Sequence, residues 1–193
     1  MENKILKDNS GFSLLELIVG VLILGIISAV AITSFNTVFN ARSDAAAEVA
    51  ASVLKQTRAK AMALVDDADS TTYAKFYVKG NDYYVDLVRS VKVDEGGTPT
   101  VKTTSLVSKK LGNDGLTLTF RNHSVTTRKE TVTATNEVIV YFDRITGGIK
   151  KISGSADYSE ATSNSLDEFL VEGSGGDKKV ILVNATGRCY MPD

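Results

Sequence analysis

The sequence predicts an α+β protein: one long N-terminal α-helix, its first half a membrane segment, packed on an antiparallel β-sheet or small β-sandwich. Three observations carry that prediction. The only prolines are Pro99 and Pro192, so nothing breaks a helix between Ser13 and Leu64. The first part of that stretch is apolar on every side and the second part is rich in alanine, the best helix former. After Asp66-Asp67-Ala68-Asp69-Ser70 the pattern changes to short runs of β-branched and aromatic residues separated by glycine-containing turns.

Taken in order, the helix comes first. Residues 12–35 read as a transmembrane segment, since about 20 apolar residues span the hydrocarbon. Residues 36–66 read as its amphipathic continuation. There Ala46, Val49, Ala50, Val53, Thr57, Ala61 and Leu64 recur at three- and four-residue spacing, opposite Arg42, Asp44, Glu48, Lys55, Arg58 and Lys60. A helix over 13–64 would be roughly 75–80 Å long at 1.5 Å per residue. Its second half needs a partner on one face, and the β-rich domain of residues 67–193 is the candidate.

Strands are expected at 72–79 and 83–88, joined by the turn residues Gly80-Asn81-Asp82. Glu95-Gly96-Gly97-Thr98-Pro99 reads as a loop, followed by weaker strands at 103–107 and 116–120. Residues 138–142 lead through Asp143-Arg144-Ile145-Thr146-Gly147-Gly148 into 149–152. Residues 153–165 are polar and read as a long loop. The last strands are 168–171 and 179–183, before a closing turn at 184–188. Repeated short strands with glycine turns imply an antiparallel arrangement.

Glu16 is the odd residue of the apolar run. A carboxylate in bilayer hydrocarbon costs about 2.5–3.5 kcal/mol on insertion scales, so something must offset it. A cut between Gly11 and Phe12 would place a new α-ammonium one helical turn before Glu16, and opposite charges at i and i+4 share a helix face. A secretory signal does not explain the pattern, because its apolar region is only about 7–15 residues and precedes a small-x-small cleavage site. A plain anchor explains the length but neither Glu16 nor the hydrophilic stretch from Met1 to Gly11. Lys4 and Lys7 favour a cytoplasmic N-terminus, an orientation signal moderated by Glu2 and Asp8.

Gly11-Phe12-Ser13-Leu14-Leu15-Glu16 and its apolar continuation resemble the class III signal of type IV pilins and type II secretion pseudopilins. The resemblance implies a leader of residues 1–11 removed after Gly11 by a prepilin peptidase, methylation of Phe12, and subunit assembly through Glu16. It implies other pilin or pseudopilin subunits, the peptidase, an inner-membrane assembly platform and the lipid bilayer as partners. The chain would be a single-pass inner-membrane protein with a cytoplasmic N-terminus, later part of an extracellular or periplasmic filament. Major pilins usually carry a helix-breaking proline about twenty residues after the cut. This chain has none near Thr33, so the helix is expected either to melt less readily on leaving the membrane or to melt around Gly20, Gly25 and Ser28. Arg58 and Lys60 on an alanine-rich helix, the Phe142 to Gly147 turn and the terminal Thr186-Gly187-Arg188 look like the GspH/FimT type of minor pseudopilin.

The residues of enzymes are missing. His123 is the single histidine, no Gly-x-Ser-x-Gly elbow is present, and a lone loop histidine reads as solvated. Cys189 is the single cysteine, so an intrachain disulfide is excluded and a structural thiol is expected. Asp66, Asp67 and Asp69 read as a solvated turn rather than a calcium loop, which needs six to eight oxygen ligands. Asn122-His123-Ser124 and Asn184-Ala185-Thr186 match the glycosylation sequon, with little weight in a bacterial protein. No catalytic residue, cofactor or metal is expected. Formal net charge is −1, which gives no global field toward nucleic acid.

Three functions remain in competition. The favoured one is a structural filament subunit, minor pilin or pseudopilin, with Gly11 and Phe12 for processing and Glu16 for assembly. A DNA-binding tip receptor would use Lys109-Lys110, Arg121, Arg128-Lys129, Lys150-Lys151, Lys178-Lys179 and Arg188 against phosphates. Lysine pairs beside strands also serve as protection of sheet edges, which is the preferred reading. A membrane-anchored binding module would need a concave site that no motif marks.

Overall fold

The computed structural model describes residues 13–63, 69–95, 98–113, 115–125, 127–159, 165–173 and 176–192. The side chains of residues 30, 32–37, 39, 95 and 98 lie outside that description. Gly11, Phe12, Leu64, Asp66 and Asp67 are also outside it.

One helix, α1 (Leu14–Ala63), carries the whole N-terminal part. Ser13 caps it: the Ser13 Oγ accepts the Glu16 N–H at 3.2 Å, and the Ser13 carbonyl accepts the Leu17 N–H at 3.2 Å. The helix runs unbroken through Gly20, Gly25 and Ser28. The Ser28 hydroxyl is satisfied by the Leu24 carbonyl at 2.7 Å, within the helix rather than against it.

Among the described residues eleven strands follow, in two antiparallel sheets. The first sheet is ordered β3-β2-β1-β6-β7-β8 and comprises β1 (Ser70–Lys79), β2 (Asp82–Glu95), β3 (Thr98–Asn113), β6 (Val138–Phe142), β7 (Ile149–Ser153) and β8 (Asp157–Ser159). The second is ordered β11-β10-β9-β4-β5 and comprises β4 (Leu116–Arg121), β5 (Lys129–Thr131), β9 (Glu168–Gly173), β10 (Lys178–Val183) and β11 (Arg188–Tyr190). The sandwich alternative is therefore the observed one. The Gly80 turn between β1 and β2 has φ +65°, a conformation glycine adopts without a steric cost.

The two sheets meet through three phenylalanines. Phe76 of β1 lies 5.1 Å from Phe120 of β4 and 5.3 Å from Phe169 of β9, ring centre to ring centre, and Phe120 and Phe169 are 4.7 Å apart. The tilted and edge-on geometries suit the ring quadrupoles. The second half of α1 lies across both sheets, burying Ser43, Ala46, Ala47, Ala50, Val53, Leu54, Thr57 and Ala61. Alanine at most of these positions lets the sheets approach the helix backbone closely. The sequence stripe was right in direction and too narrow, because Ala47, Ala51 and Leu54 are buried as well.

Several strand boundaries move outward. β2 and β3 form one long ribbon, paired from Asp82↔Asn113 to Glu95↔Thr98, where the sequence suggested a loop at 95–99 and a short strand at 103–107. Ladder pairing, not local propensity, extends them. β5, β8 and β11 were not expected; each has three residues, too few for a periodic signal. The loop expected at 153–165 contains β8 and a tight connection to it. Residues 160–164 of that loop lie outside the described residues.

That connection is held by Glu130 of β5, whose carboxylate is 2% exposed. It accepts the Ser155 N–H at 3.0 Å, the Ser155 hydroxyl at 2.9 Å, the Ala156 N–H at 2.9 Å and the Asn136 amide at 3.0 Å. Four neutral donors thus satisfy a buried carboxylate and tie the edge of one sheet to the β7–β8 turn of the other. A Cβ on Gly154 would come 2.6 Å from the Glu130 Oε2, so the carboxylate fits because that residue has no side chain.

Candidate assembly site

The N-terminal half of α1 is the part of the molecule that the rest does not cover. Every described side chain over residues 14–29 is exposed, including Leu14 at 78%, Leu24 at 64% and Leu22 at 60%. A monomer in water rarely shows a contiguous apolar surface beyond a few hundred Å², so this half is built to be covered by something else. Among the described residues no helix is long and apolar enough to cross a membrane. The fully described apolar stretch stops at residue 29, while the apolar sequence runs on to Ile32.

Glu16 sits in the first turn of this exposed half. Carboxylates there are favoured by the partial positive charge of the helix N-terminus. Ser13 and Glu16 also have the spacing of a capping box, Ser-x-x-Glu, of which the structure contains one arm, the Glu16 N–H on the Ser13 hydroxyl. This role was legible in the sequence and adds to the charge argument: Ser13 fixes where the helix begins and therefore how far Glu16 lies from the N-terminus.

A second cluster lies on the globular part. Glu168 is 1% exposed, and its carboxylate is met by Arg121 Nε at 2.8 Å, His123 Nδ1 at 2.9 Å and Lys179 Nζ at 3.0 Å. Burial pushes its pKa up, but the hydrogen bonds from Arg121, Lys179 and His123 outweigh burial and hold it below the usual glutamate value. His123 is therefore not simply solvated as expected: one ring nitrogen is engaged, although the side chain is 68% exposed. Its backbone N–H is held by Asp167 at 2.6 Å.

A third junction joins residues that the sequence showed only as separate patterns. Arg58 Nε donates to the carbonyl of Gly147, at 3.1 Å, and to that of Thr186, at 2.8 Å. Gly147 and Gly187 have φ +70° and +63°, and a Cβ on Gly187 would collide with the Gly147 carbonyl oxygen. The β6–β7 turn, the β10–β11 turn and the helix thus share one close contact. Cys189 beside it is a buried free thiol whose pKa burial pushes up to about 11, so it stays a neutral packing group at physiological pH.

Five of the ten cations named for nucleic acid are engaged in ion pairs. Lys110 is paired with Asp82 at 2.7 Å, Lys151 with Asp157 at 2.8 Å and Lys178 with Asp44 at 2.9 Å, while Arg121 and Lys179 hold Glu168. They lie on β3, β4, β7 and β10, spread over both sheets. Asn122 of the first sequon is 8% exposed, with its amide donating to the Ser165 carbonyl at 2.6 Å. Among the described residues no group of histidine, cysteine and acidic side chains is placed to hold a metal ion.

Residues 6–32 match the family model of the prokaryotic N-terminal methylation motif. This motif is the class III signal found in type IV pilins and pseudopilins, which are structural subunits, and it implies a membrane-anchored precursor processed by a prepilin peptidase. No curated protein and no solved structure matches the chain.

Proposed function

We propose that this protein is a minor subunit of a type IV pilus or type II secretion pseudopilus. In this reading the prepilin peptidase cuts after Gly11, Phe12 becomes the methylated N-terminus, and Glu16 supplies the counter-charge during assembly. Residues 12–35 anchor the precursor in the inner membrane with the N-terminus cytoplasmic, and later form the filament core. The single observation that carries the proposal is a helix overlapping the methylation motif whose apolar first half is left exposed by the rest of the described residues. The GspH/FimT type is supported by the Arg58 contact, which unites the helix, the Phe142 to Gly147 turn and the Thr186-Gly187-Arg188 terminus.

Mass spectrometry of the N-terminus, on protein recovered from membranes and from sheared surface fibres, tests this reading. The expected result is a chain starting at N-methylated Phe12 in both fractions, scarce in the fibres as a minor subunit would be. Retention of Met1, or a start beyond Ile32, overturns it. In the Gly11→Val variant only the uncut form should be found.

A further inference from the structure

The first sheet contains a cleft of about 550 Å³ between the start of β1 and the β6–β7 turn, within the range of roughly 300–1,000 Å³ typical of binding sites. It exists because β1 and β6 part company. Their pairing stops at Tyr73↔Tyr141, whereas β1 continues to Ser70 along β2. Thr71 and Thr72 therefore pair with Ser90 and Arg89 of β2 and have no register partner in β6. A stretch of strand edge faces the cleft.

The lining has a definite chemistry. Thr72 is 3% exposed and its hydroxyl has no hydrogen-bond partner, although buried polar groups are as a rule satisfied. Arg144, Lys150 and Lys151 line the cleft against one carboxylate, Asp143. That carboxylate is spent on its own turn. Its Oδ1 accepts the Thr146 N–H at 2.7 Å, the Thr146 hydroxyl at 2.9 Å and the Ile145 N–H at 3.0 Å. Lys151 also holds Asp157, an exposed residue at the sheet edge. On the rim Ile145 is 83% exposed, an apolar side chain with no packing role in the fold.

We propose that this cleft binds an extended acidic peptide segment of a partner protein. The peptide backbone continues the β1 ladder where β6 leaves it, as in strand addition to a sheet edge. An acidic side chain meets Arg144 and Lys150, a peptide oxygen satisfies the Thr72 hydroxyl, and an apolar neighbour packs on Ile145. A small free anion would use the cations alone and leave the strand edge and Ile145 without a purpose. The site is separate from the apolar helix and does not depend on the filament reading.

The test is fluorescence anisotropy with the full chain in detergent micelles and a fluorescein-labelled hexapeptide alternating aspartate and valine. Binding should weaken about tenfold with Lys150→Glu, and should fall with added salt as cationic sites do. Thr72→Val and Ile145→Ser should each weaken it by about threefold. Lys150 and Ile145 are exposed, so these variants report on the site and not on folding. Equal affinity for the peptide with asparagine in place of aspartate, or no change with Lys150→Glu, overturns the proposal. Full displacement by millimolar inorganic phosphate also overturns it, because the site would then be one for a bare anion.

Discussion

Leu22 and Leu54 lie on the same helix, yet Leu22 is 60% exposed and Leu54 is 0% exposed. The two halves of α1 are both apolar, and the difference lies in what surrounds them. Over residues 14–29 large branched side chains point outward in every direction, and among the described residues no strand covers them. From Ser43 onward small side chains face two sheets, and the polar residues Glu48, Lys55 and Lys60 stay outside. An apolar surface that is all-round and bulky requires partners from all sides, as a membrane or a filament supplies. One that is one-sided and small is closed by its own domain.

The largest effect should come from removing a side chain on the closed half. Leu54→Ala is expected to lower the stability of the globular part by about 2–5 kcal/mol, the range for a buried leucine leaving a cavity. Leu22→Ala should change it by no more than about 0.5 kcal/mol. Urea unfolding of both full-length variants in micelles, followed by circular dichroism, makes the comparison. Equal losses would mean that the apolar half also packs on the domain.

A somewhat smaller loss, about 2–3 kcal/mol, is expected from Gly187→Ala. It combines a side chain at φ +63° with a collision against the Gly147 carbonyl. Here the closed half is attacked from its far end, where Arg58 holds both turns. The same unfolding experiment applies, and an unaffected midpoint would show that the two turns separate without cost.

Glu168→Gln should cost less again than Gly187→Ala, about 1–2 kcal/mol. Its partners Arg121, His123 and Lys179 are 32%, 68% and 34% exposed, so solvent screens much of the attraction. The pH dependence has a definite sign. Because the folded-state pKa of Glu168 is lowered, its contribution is present above the unfolded value near 4.3 and is lost as pH falls through the folded value. Thermal melts between pH 3 and 7 should show the variant's deficit shrinking on the acid side. A deficit that stays constant across that range would rule out the carboxylate charge as the cause.

The sequence by itself determined the features that depend on local chemistry. The unbroken helix follows from the absence of proline and the run of alanine. The signal follows from Gly11, Phe12 and Glu16 beside the apolar run, and β6 (Val138–Phe142) follows from a run of β-branched and aromatic residues. Ser13 as the cap was equally legible through its spacing to Glu16. Tertiary structure alone decided what depends on long-range pairing. The three-residue strands exist only because a neighbouring strand bonds to them, and β3 is long because β2 is. Arg58 meets Gly147 and Thr186 across 89 and 128 residues of chain, and Glu130 and Glu168 find their donors 25 and 47 residues away. Such contacts leave no spacing in the sequence, because distance along the chain says nothing about which turns the two sheets bring together.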